Sequence, residues 1–304
     1  MLINQASLDA LRTDLHLGWE EGYGSAAEVW STKLAMEVPS NARSNTYAWI
    51  AQQLKLREWI GPRVAQNLSE HSYTLQNKEF EGTVEIPRID IRDDNLGVYS
   101  SRTLPQLGVA TKQHPDVLLA SLLTSNPLAF DGLSLFNTAH LTFNGSGTYS
   151  NDFATSALSA ANFNAAWAAM VSYTGEDGMP LGVTPNLLII PPQLALVAKQ
   201  ILQSTTMVAT GPGSTSAAID NVLKGWADIL IVPQLSSAPT IWYLADVSKS
   251  ILPFVHQTRE APTFVSRDNM SDPKVFDLNM FTYGVNLSDN MGVTLPFLIC
   301  RNTP

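Results

Sequence analysis

YTLQNKEFEGTVEIPR, residues Tyr73 to Arg88, is the stretch on which the fold turns. Tyr73 and Leu75 alternate with polar residues, and Gln76 to Glu79 offers a polar break. Phe80, Gly82, Val84 and Ile86 then alternate against Glu79, Glu81, Thr83 and Glu85. Successive side chains of a strand point to opposite faces, so period two on both sides of a polar break predicts a β-hairpin across Ser72–Ile91. The predicted hairpin is long, charged and poor in apolar residues. A lone two-stranded ribbon is marginal in water and leaves amides and carbonyls unpaired along its edges. Those edges need a cover, from the rest of this chain or from a neighbouring one.

Upstream, Asn4 to Gly24 reads as a helix. Leu8, Leu11, Leu15 and Trp19 recur at helical spacing, and Ser7 is placed as an N-cap. Trp30 to Pro39 reads as irregular. The block LREWIGPR, Leu56 to Arg63, carries two arginines, a tryptophan and a Gly-Pro stop. Downstream, Asp93 to Thr124 is mostly helical in pattern, and the helix dipole favours Asp93 and Asp94 at its start. Pro105 and Pro115 interrupt it. Pro115 has no N–H to donate, so a break or kink is expected there, with Pro115 opening a second helix. Leu118, Leu119, Leu122 and Leu123 form the apolar face of that piece.

The middle third alternates helix and strand. Ser159–Ser172 and Gln193–Gln203 read as helices, and Asn186–Ile190, Ala227–Val232 and Thr240–Leu244 as buried strands. Ser204–Ser216, rich in Gly, Ser and Thr, reads as a loop. From Ile251 to the end the pattern is β. The chain is therefore α+β.

The 304 residues are 45% hydrophobic, enough for a sizeable core in one or two domains. The net charge of −9 and charged fraction of 15% argue against a protein that grips a phosphate backbone. A single cysteine, Cys300, excludes an internal disulfide framework and cysteine clusters for zinc or iron–sulfur. The N-terminus lacks the basic start and apolar block of a signal peptide. The longest aliphatic runs, Leu187–Ile190 and Ile229–Val232, are far too short to span a bilayer.

No metalloprotease, P-loop or nucleophile-elbow pattern occurs. Gly211–Ser216, GPGSTS, starts like a phosphate loop but lacks the third glycine and reads as a flexible loop. His16, His71, His114, His140 and His256 show no metal-ligand spacing and read as structural. FDGLSLFNTAH, Phe130 to His140, sets an aspartate, an asparagine, a threonine and a histidine together, residue types that serve as ligands or as a general base. The same segment reads more simply as a turn at Asp131-Gly132 followed by a short strand, with Leu133, Leu135 and Phe136 as core plugs. No catalytic, cofactor-binding or metal-binding residue is assigned, and Cys300, at the end of an apolar strand, reads as a packing or solvent-facing residue and not as a nucleophile.

Several segments in order resemble the Mu-like phage major head subunit (protein T) family. They are Tyr47–Arg63, Tyr73–Arg88, Asp93–Tyr99, Asp131–His140, Asp177–Pro192 and Val275–Leu287. The resemblance implies an α+β fold of the HK97 capsid type. Residues 1–65 would form the N-terminal arm and the lead into the peripheral domain, 66–92 the E-loop hairpin, and 93–158 the peripheral domain with its spine helix. Residues 159–250 would form the axial domain and 251–304 the returning β segments of the peripheral domain. The two prolines predict an irregular spine.

The resemblance also implies a structural protein, not an enzyme, with no cofactor. Its copies would form hexamers and pentamers of an icosahedral shell in the virion, assembled in the bacterial host cytoplasm. A separate scaffolding protein, a portal and double-stranded DNA packaged without sequence-specific contacts are the implied partners, with no membrane. The E-loop would lie over the adjacent subunit, covering the hairpin's edges. The negative balance would suit a lining that does not hold DNA tightly. Arg57, Arg63, Lys78, Glu79, Glu81, Glu85 and Arg88 are the candidates for contacts between subunits. The alternatives are an encapsulin-like compartment for protein cargo and, behind it, a soluble enzyme.

Overall fold

The computed structural model describes residues 5–50, 70–93, 99–141, 147–154, 156–175, 180–208 and 218–304. In chain order come α1 (Gln5–Ser25), a 3-10 turn at Trp30–Lys33, β1 (Ala35–Pro39), β2 (Ser44–Ile50), β3 (Glu70–Gln76), β4 (Lys78–Pro87) and α2 (Arg88–Arg92). A π turn at Tyr99–Thr103 leads into α3 (Leu104–Ser125), then β5 (His140–Leu141), β6 (Thr148–Tyr149), β7 (Asp152–Ala154) and α4 (Ala160–Val171). The middle continues with β8 (Leu187–Ile190), α5 (Ala195–Leu202), β9 (Thr206–Val208), β10 (Ala218–Asp220), β11 (Asp228–Ile231) and β12 (Trp242–Ala245). The chain ends with β13 (Phe254–Arg267), α6 (Pro273–Leu278), β14 (Met280–Val293) and β15 (Ile299–Thr303).

Two sheets carry the architecture. One is four-stranded in the order β1-β13-β14-β4, and the other five-stranded in the order β11-β8-β12-β15-β7. In the first, β13 and β14 are fourteen residues each and pair antiparallel. Their register shifts between Thr258 and Glu260 and again between Glu260 and Thr263, beside Pro262, which has no N–H for the ladder. In the second, Leu187, Ile189, Tyr243, Ala245 and Ile299 enter one core, while Leu188, Ile190, Trp242, Leu244 and Cys300 enter the other. A sheet buried on both faces needs apolar residues at every position, which explains the unbroken runs LLII and WYLA.

The expected hairpin is corrected by the strand pairing. β3 pairs with β2, Ser44 opposite Gln76, whereas β4 pairs with β14, Lys78 opposite Asp289. The two halves of Tyr73–Arg88 are both strands, as their alternation requires, but they do not pair with each other. The polar break is a change of partner instead of a turn. The buried Asn77 donates its amide to Arg43 O at 2.9 Å, and its Nδ2 to Ser40 Oγ at 3.0 Å and Ala42 O at 2.8 Å. Its Oδ1 accepts from Gln257 Nε2 at 2.7 Å. An asparagine whose polar groups are spent on the β1–β2 turn and on β13 holds the chain on course.

Helix α3 overturns a second expectation. It runs without interruption through Pro115, and Pro105 sits in its first turn, where the missing N–H costs nothing. An interior proline costs about 3 kcal/mol. Burial of Leu119 and Leu123, each fully enclosed, supplies about 1.5–3 kcal/mol apiece and offsets that cost. The helix begins later than expected. Asp93 follows the short helix α2 and pairs with Arg92 at 3.2 Å instead of opening the long helix, and Asp94 lies outside the described residues. Two further segments differ from the sequence pattern. Ala35–Pro39, read as irregular, is β1, parallel to β13, and the last strand, β15, joins the five-stranded sheet beside β12 and β7.

Helix α1 packs Leu8, Leu11, Leu15 and Trp19 against Ile86, Phe281, Tyr283 and Val285 of the four-stranded sheet. It crosses α3 backbone to backbone. A Cβ on Gly22 would fall on the carbonyl of Pro105, and one on Gly108 on the carbonyl of Trp19, whereas one on Gly24 would meet nothing within 4 Å. Gly22→Ala and Gly108→Ala should each destabilise the chain by about 1–3 kcal/mol in urea unfolding. Gly24→Ala should be neutral or stabilise by up to about 1 kcal/mol. Equal effects at all three positions would contradict this crossing.

Candidate assembly surface

The segment FDGLSLFNTAH has half the geometry of a catalytic relay. His140 Nδ1 lies 2.6 Å from Asp131 Oδ2. The other nitrogen, which a hydrolase would aim at its nucleophile, lies 3.1 Å from the main-chain oxygen of Leu135. That oxygen also accepts from Asn151 Nδ2 at 2.7 Å, and the imidazole is fully buried and stacked on Tyr149. Asp131 Oδ1 accepts from the Leu133 amide at 3.1 Å, the turn expected of Asp-Gly, with Gly132 at a φ of 77°. Asn126, in the left-handed region at φ 51°, closes the C-terminus of α3 and hydrogen-bonds Phe136 N at 2.7 Å and Phe136 O at 3.1 Å. These bonds staple the segment to the end of α3. Burial works to raise the Asp131 carboxyl, and the His140 hydrogen bond and charge with the Leu133 amide outweigh it, so it lies below its ordinary value.

A second buried carboxylate joins three elements. Asp289 of β14 lies 3.2 Å from His114 Nε2 of α3 through Oδ1 and 2.9 Å from His256 Nε2 of β13 through Oδ2. His114 also meets the edge of the Phe80 ring of β4. Burial again acts to raise the Asp289 carboxyl, and the hydrogen bonds from the two histidines dominate and lower it. Among the described residues, no group of three His, Cys, Asp or Glu side chains is placed to hold a metal ion. Cys300 is enclosed, and burial pushes its thiol up to about 12, far from a nucleophile's range.

The charged residues of β4 sort by face. Phe80, Gly82, Val84 and Ile86 turn toward the helices, with Gly82 under the Leu107 side chain of α3. Lys78 shares that alternation at the strand's start, opposite Asp289. Glu79, Glu81 and Glu85 stand exposed on the other face. Lys274 of α6 makes an ion pair with Glu85, and the Thr83 hydroxyl donates to Glu81. Arg88 is half-buried at the far end, where α2 begins and its amide donates to Asn279 O. Arg57 and Arg63 lie outside the described residues. Sequence reasoning missed Asp289 and Lys274. Neither carries a local signal, since each meets its partners only across the sheet.

A five-stranded sheet between two cores, a four-stranded sheet with two very long strands, and one helix running along both define a capsid-subunit fold. The procapsid of bacteriophage JBD30 contains a chain with this fold, with a TM-score of 0.59 at 28% identity, covering 99% of the present chain and 76% of that one. An encapsulin complex from Synechococcus elongatus shares the fold at a TM-score of 0.51 and 10% identity, covering 92% and 88% of the two chains. The chain belongs to the Mu-like prophage major head subunit gpT family, whose model matches residues 8–157, 152–235 and 236–303. The Mu-like prophage FluMu major head subunit of Haemophilus influenzae is 28% identical over 276 residues, 90% of this chain. The major capsid protein of Escherichia phage Mu is 27% identical over 288 residues, 94% of this chain. The chain spans 66% and 70% of the lengths of these two relatives.

Both lowered carboxylates have a defined pH signature. Their stabilisation is fully present above the unfolded value, about 3.9, and is lost as pH falls through the lower folded value. The Asp289→Asn variant should therefore lose less stability than the parent as pH falls below about 4 in acid titrations followed by circular dichroism. Asp289→Ala should cost on the order of 3 kcal/mol at neutral pH. An unchanged acid transition in Asp289→Asn would remove Asp289 from the joint.

Proposed function

We propose that this chain is the major subunit of a phage head, a structural protein whose copies form an icosahedral shell of hexamers and pentamers around double-stranded DNA. The observation that carries this is the family match over nearly the whole chain, on a fold shared with a phage procapsid. Scaffolding and portal proteins would be separate chains, and assembly would take place in the host cytoplasm. A subunit meeting several neighbours needs no single strong contact, because many weak ones act together. A net charge of −9 suits a container that packs DNA without sequence-specific contacts. A purely structural role is supported by the Asp131–His140 pair, whose second ring nitrogen is engaged by the main chain inside the core.

The four-stranded sheet with α1 and α3 would form the peripheral domain, and the five-stranded sheet with α4 and α5 the axial domain. The β2–β3 ribbon, in place of the Ser72–Ile91 hairpin, would be the extended arm. The encapsulin-like alternative rests on fold alone, at 10% identity.

Negative-stain microscopy of the expressed chain, with and without a scaffolding partner, should show shells, tubes or capsomers that carry nucleic acid when isolated from infected or induced cells. Protein cargo in place of nucleic acid would favour the compartment. A small soluble oligomer under all conditions would sink the proposal.

A further inference from the structure

We propose that the contact of His114 and His256 with Asp289 is a proton-sensitive latch, which holds helix α3 against the long strands most firmly when both imidazoles are charged and slackens when they are neutral. The inference rests on the fold alone and does not need the shell.

The latch sits where regular backbone pairing is interrupted. Three elements run from one core to the other. α3 passes from Leu104 to Leu119, β13 from Phe264 to Phe254, and β14 from Phe281 and Tyr283 to Met291 and Val293. Two of them are irregular between those points. Pro115 has no N–H for the carbonyl of Thr111, one turn back in α3. The β13 ladder shifts register twice between Thr258 and Thr263. β4 ends its pairing with β14 at the same level, with Lys78 opposite Asp289. A cavity of about 270 Å³ opens there, lined by Pro115, Pro262 and Leu287, with the two histidines and Asp289 in its wall. A helix short of one hydrogen bond, a bulged strand and a void between them leave the two cores room to shift against each other.

Asp289 bridges that level. It lies 3.2 Å from His114 Nε2 on α3 and 2.9 Å from His256 Nε2 on β13. Each Nε2 faces a carboxylate oxygen, so it carries its hydrogen whether the ring is neutral or charged. What a further proton adds is charge, and a charge-assisted hydrogen bond is about twice as strong as a neutral one. The carboxylate side chain is 5% exposed and the rings 18% and 16%, so the bonds are shielded while the rings still exchange protons with water. Burial acts to raise the Asp289 carboxyl, and the two rings hold it below its ordinary value, so it stays charged in the range where imidazoles titrate.

The charges that face the pair set the sign. With both rings neutral the cluster holds one negative charge, with one proton it is neutral, and with two it holds one positive charge. Glu37 of β1 is the register partner of His256 and lines the same cavity, where it opposes that positive charge. Glu260 of β13 lines the cavity too. Of the cations, Lys112 of α3 lies over the Tyr23 ring at 4.8 Å, and Lys78 of β4 is exposed. Asp116, two residues beyond His114, is turned to the Ser31 amide. Asp289, Glu37 and Glu260 thus stand against two lysines, and each proton finds an opposing charge. The contribution of the rings is therefore present on the acid side of the ordinary histidine range and fades as pH rises through it.

Hydrogen exchange of the whole chain, read by mass spectrometry and corrected for intrinsic rates, tests the latch. From about pH 5.5 to about pH 8, protection of segments 109–118 and 255–263 should fall about tenfold relative to β8, which lies in the other sheet. His114→Gln/His256→Gln keeps a donor beside the carboxylate but takes up no proton, so its ratio should be the same at both pH values. The other histidines remain in that variant, so loss of the pH dependence is assigned to this joint. An unchanged ratio in the parent overturns the proposal, as does a ratio that still falls in the variant. Should the double variant not melt cooperatively, Asp289→Asn takes its place. It removes the opposing charge, its ratio should stay flat, and a fall like the parent's would overturn the latch.

Discussion

Helix α3 is buried against two cores, which the long strands β13 and β14 also join. Its first half sets Leu104 and Leu107 against α1 and the four-stranded sheet, and its second half sets Leu119 and Leu123 into the core beneath the five-stranded sheet. Residues 114 to 116 are the changeover. There His114 reaches Asp289, and Asp116 accepts a hydrogen bond from the Ser31 amide at 2.8 Å. Removing the helix would uncover both cores, so both must form around it. This double anchorage also explains why a proline is tolerated at the changeover. The backbone bond it deletes is small beside the burial on either side.

The buried polar groups serve the same end. Asn77, Asn151 and Asp289 each join elements that are distant in sequence, Asn126 ties the end of α3 to Phe136, and each has its partners in the main chain or on a neighbouring strand or helix. A buried group with several partners specifies one arrangement, because any other leaves it unpaired at a cost of about 1–3 kcal/mol. Such joints suit a shell subunit, which presents a defined surface to several neighbours at once. They also account for the resemblance of Phe130–His140 to an active site. The same acidic, amide and imidazole groups that bind ligands are equally suited to binding the main chain.

Much of the fold was legible in the residues. The apolar stripe of α1, the helix α4 within Ser159–Ser172, and the buried strands LLII and WYLA appear about where periodicity places them, whereas Ser7, expected to cap α1, lies inside it. Of the candidate surface, the glutamates of β4 were legible as one face, since alternation alone puts Glu79, Glu81 and Glu85 together. The pairing of that strand was not. Alternation reports that a segment has two faces and is silent about which strand lies beside it. Asn77 looked like a turn because asparagine favours turns when its side chain serves its own backbone, and here the side chain serves two other segments, the β1–β2 turn and β13.

The sequence by itself determined the elements, their buried faces and the family to which the chain belongs, because these depend on spacings within a few residues. Only the tertiary structure decided that β4 lies beside β14, that Asp289 takes two histidines, that α3 passes through Pro115, and that β15 returns to the five-stranded sheet. Each of these depends on groups far apart in the chain, at energies of a few kcal/mol that no local pattern encodes. Loop closure costs little more for a long loop than for a short one, so the chain is free to settle such pairings by packing.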